Sequence, residues 1–285
     1  MKVLVLGVTG MLGNTVFRYC YHETEINAYG TLRNPSSLRH FPEKMHDRLI
    51  SCVDVLDHDS LVSVIAKVKP DIIINCVGLI KQLSHANDPL NALPINSLLP
   101  HQLANLCSLA NIRLIHISTD CVFSGEVGLC KENDKIEPPD LYGMSKYIGE
   151  ISNLNHVITL RTSIIGHELS SAYALIEWFL SQTGQVKGYS NAIFSGFPTI
   201  ELAKIIFKYI IPNTDLHGLY HVSSEPIDKY SLLKLVAKIY GKEIDIVDDN
   251  EFKIDRSLDS SCFRKKVGYK PPTWTELIKS MYEFH

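Results

Sequence analysis

Tyr142 and Lys146 stand four positions apart in Leu141-Tyr142-Gly143-Met144-Ser145-Lys146. On a helix this spacing puts a phenol and an ammonium on one face, one turn apart. A cation beside a phenol favours its ionised form and lowers a pKa that starts near ~10. Such a phenol can exchange a proton with a carbonyl oxygen near neutral pH. The same spacing is common on solvated helix faces, so the pair means chemistry only if other elements deliver a reaction partner to it.

Two segments do so. Lys2-Val3-Leu4-Val5-Leu6 reads as a strand buried on both faces. It enters Gly7-Val8-Thr9-Gly10-Met11-Leu12-Gly13, and a helical pattern follows through Val16, Phe17 and Tyr19. A G-x-x-G-x-x-G turn between strand and helix lets backbone N–H groups approach a pyrophosphate, and the helix N-terminus favours its charge. Thr9, Met11 and Leu12 lie between these glycines and are expected at the cofactor with them. The second segment is Ile115-His116-Ile117-Ser118-Thr119-Asp120-Cys121-Val122-Phe123, an apolar strand ending in two hydroxyls. In open parallel sheets ligands bind at that carboxyl edge. Thr119 can bond a substrate oxygen alongside the phenol, or simply cap the next turn.

The first half alternates strand and helix patterns: strands at 26–31, 49–52, 71–76, from Leu114 and at 157–161, with helices at 60–67 and 95–110. Such alternation predicts an α/β fold, a Rossmann-type doubly wound parallel sheet. Beyond Gly166 the rhythm loosens into helical patterns at 172–180, 200–211, 230–240 and 275–284, with a short strand at 218–222. The expected organisation is a dinucleotide-binding domain over residues 1–165 and a smaller substrate-binding lobe over 166–285, interleaved with the end of the main sheet.

Where Rossmann units that bind NAD carry an acidic residue after the second strand, this chain has Arg33, which favours a 2′-phosphate and hence NADP(H) over NAD(H). Asp54, followed by Val55, is placed after the third strand to accept from an adenine amino group. Cys76, Val77 and Gly78 after the fourth strand complete the expected cofactor contacts.

Composition narrows the classes. The chain has 285 residues, 45% hydrophobic and 21% charged, with a formal net charge of −3. It carries no basic footprint for nucleic acid. No run reaches the length of a membrane span, and the N-terminus reads directly as a core strand rather than a signal segment. The seven cysteines form no C-x-x-C pair, which fits a reducing cytoplasm. The twelve histidines show no metal-ligand spacing, and no metal site is expected.

Taken together, these residues resemble the extended short-chain dehydrogenase/reductases, and within them the dTDP-4-dehydrorhamnose reductase family of nucleotide-sugar reductases. Asn75-Cys76-Val77-Gly78 is similar to the family's Asn-Ala-Ala stretch. Asn96 matches its architectural Asn, and Ser118 through Gly125 is close to its Ser-Thr-Asp-Tyr-Val-Phe run. Tyr142 to Lys146 with Gly149-Glu150 matches the catalytic helix. Arg161-Thr162-Ser163, Pro198-Thr199, Leu202-Ala203 and Arg256-Ser257-Leu258-Asp259 follow the family into the second lobe. The resemblance implies hydride transfer from NADPH to the C4 ketone of a nucleotide-activated 6-deoxy-4-keto sugar in polysaccharide precursor synthesis. In that reaction Tyr142 is the proton donor, Lys146 the ribose clamp and Thr119 the oxygen's second partner.

Lys81, Asn191 and Arg256 are expected near the substrate, with a structural ion pair the alternative for Arg256. A homodimer is also compatible with this reading. Two departures bear on the sugar: Ile164 replaces a family Trp, and Tyr189 to Phe197 replaces an Asp-rich approach to Pro-Thr. They suggest a substrate other than dTDP-4-dehydrorhamnose, for which a UDP-linked N-acetyl analogue is one candidate. The rival functions are a nucleotide-sugar epimerase and a non-catalytic NADP-binding regulatory subunit, such as that of methionine adenosyltransferase. Dehydratase-type sites place a Glu after the strand-end Asp; Cys121 stands there instead.

Overall fold

Alternate residues of the first strand serve opposite faces of the fold. In β1 (Lys2–Leu6), Val3 and Val5 enter one apolar cluster while Leu4 and Leu6 enter another. This is the pattern of a parallel strand covered by helices on both sides. The computed structural model describes residues 1–80 and 87–284.

The sheet contains β1, β2 (Asn27–Thr31), β3 (Leu49–Ile50), β4 (Ile72–Asn75), β5 (Arg113–Thr119), β6 (Val157–Thr162) and β7 (Gly218–His221). Their spatial order is 3-2-1-4-5-6-7, with every neighbouring pair parallel. Helices α1 (Met11–His22), α2 (His58–Val68), α3 (Leu99–Leu109) and α4 (Leu141–Ile148) lie among the crossovers. The order reverses direction beside β1, so the crevice for a ligand opens at the carboxyl ends of β1 and β4. This is the Rossmann-type sheet expected from the alternation.

The long helix expected over 95–110 is divided. Pro89–Ala92 forms one turn, Leu93–Leu98 is π-helical, and only then does α3 begin. Pro94 brings no N–H to the ladder and Leu99 N reaches back five residues to its carbonyl, which widens the turn.

After β6 the chain leaves the sheet. Ile164–Ile165 pairs with Phe197–Pro198, Gln185–Tyr189 pairs with Asp245–Asp249, and Ala192–Phe194 lies between Ile227–Asp228 and Ile254–Asp255. The stretch from Tyr189 to Phe197 is therefore partly strand. Ile165, Ile176, Phe179, Val186, Phe194, Leu232 and Val236 form a separate apolar cluster here. The helix Thr199–Ile205 returns to α1, where the Thr15 hydroxyl donates to Thr199 Oγ1 at 3.0 Å. Among the described residues no helix is long and apolar enough to cross a membrane.

Candidate active site

The glycine turn opens at the end of β1. Gly7 adopts φ +80°, a conformation that L side chains rarely reach. A Cβ at Gly13 would lie 2.2 Å from Gly7 O, so α1 packs on the strand only because Gly13 has none. Gly10, the N-cap of α1, gives no side-chain cap. The first-turn N–H groups of Met11, Leu12 and Gly13 therefore have no side-chain cap, and Thr9 and Gly10 beside them are exposed. This cradle fits the diphosphate of a dinucleotide.

Arg33 is exposed just beyond β2. Asp54 is exposed after β3, and its Oδ1 accepts from Leu56 N at 3.0 Å while Val55 is half-buried. After β4, Val77 N donates to Asn75 Oδ1 at 3.1 Å, and Cys76 and Val77 are half-buried. Burial pushes the Cys76 thiol up to about 12. A Cβ at Gly78 would stand 3.9 Å from Lys146 Nζ, so the loop after β4 passes directly by that amine.

Asn96 holds this loop to α4. Its amide accepts from Leu79 N at 2.9 Å and donates to Leu79 O and to Ser145 Oγ, each at 3.1 Å. Ser97 Oγ donates to Ser145 O at 2.7 Å. The helix is capped by Asp140, which accepts from Gly143 N at 2.8 Å. Gly143 sits where a Cβ would be 2.2 Å from Cys121 O, which lets α4 close on the turn that follows β5.

That contact brings Thr119 beside Tyr142, on whose phenol it acts, while Thr119 Oγ1 accepts from Cys121 N at 3.1 Å and donates to Asp120 Oδ1 at 3.2 Å. Asp120 is buried beside them, which raises its carboxyl above the usual range against the pull of Arg256. Ser118 is committed elsewhere, donating to Glu150 Oε1 at 2.7 Å.

The electrostatics differ from the expectation that Lys146 lowers the phenol's pKa. Burial, and after it the neighbouring Cys121, hold the Tyr142 phenol above its ordinary value, while the Thr119 hydroxyl beside it pulls the other way. Lys146 Nζ donates to Ile117 O at 2.7 Å, and burial brings its pKa down to about 8 against the pull of Glu150. Helical spacing reveals which side chains share a face but not how completely both are desolvated. The phenol is therefore held protonated.

Of the expected substrate residues, Arg256 backs the turn after β5, with Nε 3.2 Å from Phe123 O and Nη1 3.6 Å from Cys121 Sγ. Asn191 donates its amide to Asn250 O at 2.7 Å. Lys81 lies outside the described residues. Sequence reasoning gave Cys121, two residues beyond Thr119, no role beside the phenol, and it gave Glu150 only as part of a motif.

A Rossmann sheet with a glycine turn on β1 and a Tyr-x-x-x-Lys helix beyond β5 defines a short-chain dehydrogenase/reductase of the extended type. The model of the RmlD substrate binding domain matches residues 1–284, and the chain belongs to that family. A probable low-salt glycan biosynthesis reductase of Haloferax volcanii is 31% identical over 302 residues, spanning 96% of this chain and 94% of that protein. Methionine adenosyltransferase 2 subunit beta of Danio rerio is 28% identical over 258 residues, 84% of this chain and 72% of that one. The dTDP-4-dehydrorhamnose reductase of Bacillus anthracis, solved in complex with NADP, shares the fold at a TM-score of 0.79 and 20% identity, over 100% of this chain and 99% of that one.

Proposed function

We propose that this protein is a cytoplasmic, NADPH-dependent reductase of the C4 ketone of a nucleotide-activated 6-deoxy-4-keto sugar. The observation that carries the reading is the juxtaposition of Thr119, at the carboxyl edge of β5, with Tyr142, which shares its helix with the buried Lys146. The likeness to named reductases supports it. Arg33 favours the phosphorylated dinucleotide, with NAD(H) the second choice.

When bound, the reduced nicotinamide supplies the hydride. Tyr142, held protonated by burial, gives its proton to the oxygen that becomes the hydroxyl. Thr119 donates to the same oxygen and fixes its place, and such donors contribute a few kcal/mol, about 3, to alkoxide stabilisation. Lys146 as the ammonium holds a ribose hydroxyl and offsets the phenolate left behind. Arg256, Asn191 and Lys81 are assigned to the sugar side from the sequence. Ile164, half-buried against Phe197, leaves the sugar pocket without an indole, which favours an N-acetylated sugar on UDP over dTDP-4-dehydrorhamnose.

The residue boundary at 165/166 and a homodimer belong to the same reading. Exposed Leu98, Met144, Tyr147 and Ile148 near α4 support the latter, and sedimentation would read it. The regulatory-subunit rival draws on the methionine adenosyltransferase likeness, and turnover separates the two. Incubating purified protein and NADPH with a panel of dTDP- and UDP-linked 4-keto sugars should give one reduced product. Tyr142→Phe should lower kcat by roughly 100-fold or more. No oxidation of NADPH with any panel member, or an unchanged rate for Tyr142→Phe, ends the catalytic reading.

A further inference from the structure

Behind the Tyr142–Lys146 face lies an acid that the reaction itself does not use. Glu150 follows α4 one turn after Lys146, and its side chain is 5% exposed. Both of its oxygens are engaged. Oε1 accepts from Ser118 Oγ at 2.7 Å and from Arg161 Nε at 2.8 Å, and Oε2 accepts from Arg161 Nη2 at 2.7 Å. Arg161 is equally buried, 4% exposed on β6. It continues to His221 Nε2 on β7 at 3.3 Å and to Glu132 O at 3.3 Å, and it stacks 5.5 Å over the Phe123 ring. One carboxylate thus joins α4, β5, β6 and, through Arg161, β7 and the turn after β5. Its Ser118 contact is one residue from Thr119.

We infer that Glu150 is a positioning residue for the reduction, tying the Thr119 end of β5 to the Tyr142 helix and standing as the counter-charge that keeps Lys146 an ammonium. The inference rests on the reductase reading for its consequence, but not for its geometry. A buried ion pair by itself is weak evidence for stability, because desolvation offsets much of the attraction. The placement of this one is what matters.

Few groups among the described residues face Lys146: the Ile117 carbonyl and His116 on β5, Cys76 after β4, and Glu150 just beyond the end of α4. Burial holds His116 neutral and the Cys76 thiol protonated, so neither supplies charge near neutral pH. Glu150 is then the facing group that carries a negative charge. Without it, an amine already brought down by burial loses its proton at lower pH. Arg161 is held off behind Glu150.

Cofactor affinity tests this without any sugar. NADPH dissociation constants, read by cofactor fluorescence between about pH 7 and pH 10, should weaken as Lys146 loses its charge. In Glu150→Gln the midpoint should move down by about one pH unit. Glu150→Asp should recover most of the shift, and Ser118→Ala should leave the midpoint in place while lowering kcat several-fold. Because Glu150→Gln leaves Arg161 buried and uncompensated, the double variant Glu150→Gln/Arg161→Met serves if the single one does not fold, and its midpoint should also fall. A folded variant with the wild-type midpoint, or a wild-type affinity that ignores pH over this range, overturns the inference. If the midpoint shifts as stated while no 4-keto sugar is reduced by the wild type, the role of Glu150 stands and the substrate reading falls.

Discussion

Asn96→Ala tests the positioning of the site most directly. Asn96 is 1% exposed and its amide serves three partners: Leu79 N, Leu79 O and Ser145 Oγ. Truncation leaves the buried Leu79 N–H and C=O without these bonds. Ser145 loses less, because its hydroxyl still donates to Tyr142 O at 2.9 Å. Two buried backbone groups at ~1–3 kcal/mol each, reduced by partial relaxation, give a loss of roughly 2–5 kcal/mol. For a chain of this size that lowers Tm by roughly 4–15 °C. The loop carrying Gly78 should also drift from Lys146, so kcat should fall more than stability alone explains. Asn96→Asp keeps the acceptor for Leu79 N but turns an acceptor toward Leu79 O and Ser145, so it should be no better. Thermal melts followed by circular dichroism, with NADPH titration on the folded protein, decide the matter. A Tm drop under ~2 °C for Asn96→Ala would show that water replaces the amide and that the clamp is dispensable.

Three further outcomes follow from the geometry. Gly13→Ala drives a Cβ to within 2.2 Å of Gly7 O, a backbone atom that cannot swing aside; it should lose ~1–3 kcal/mol in urea titrations and weaken NADPH binding more than tenfold. His221 is brought down from 6.5 to about 4, first by burial and then by Arg161. Between those values the unfolded chain binds the proton that the folded one refuses, so stability is complete above about pH 6.5 and falls by up to roughly 3 kcal/mol as pH drops to about 4. Urea midpoints at neutral and acid pH should show this slope, and His221→Gln should flatten it. Arg33→Ala should lower the affinity for NADPH at least tenfold while leaving NADH nearly unchanged; equal losses for both would place Arg33 away from the 2′-phosphate.

The sequence made the site legible where local rules suffice. The Gly7–Gly13 turn needs only a strand before it and a helix after it, and Tyr142 and Lys146 need only helical spacing. Their protonation was not legible, because it depends on desolvation by segments far along the chain, among them the Cys121 turn. The Gln185–Tyr189 and Asp245–Asp249 pair also escaped notice: both strands are short and polar, and their partners lie about sixty residues apart. The π-helical Leu93–Leu98 read as ordinary helix, because Pro94 is tolerated near a helix start and only the ladder reveals the wider turn. The Glu150–Arg161 pair joins two motifs that each look self-contained in one dimension.

The route of the chain between β6 and β7 constrains how such a protein can diversify. Between β6 and β7 the chain leaves the main sheet and comes back to it, and further segments of the second lobe follow β7. The same excursion supplies Phe197, Leu202, Ile205 and Ile206 to the apolar cluster that covers β1 and α1. An exchange of C-terminal halves between relatives would therefore strip a sheet strand and half a core along with the old specificity. Grafts that leave Phe197 and the paired strand Ala192–Phe194 in place are the exchanges that keep this cluster intact.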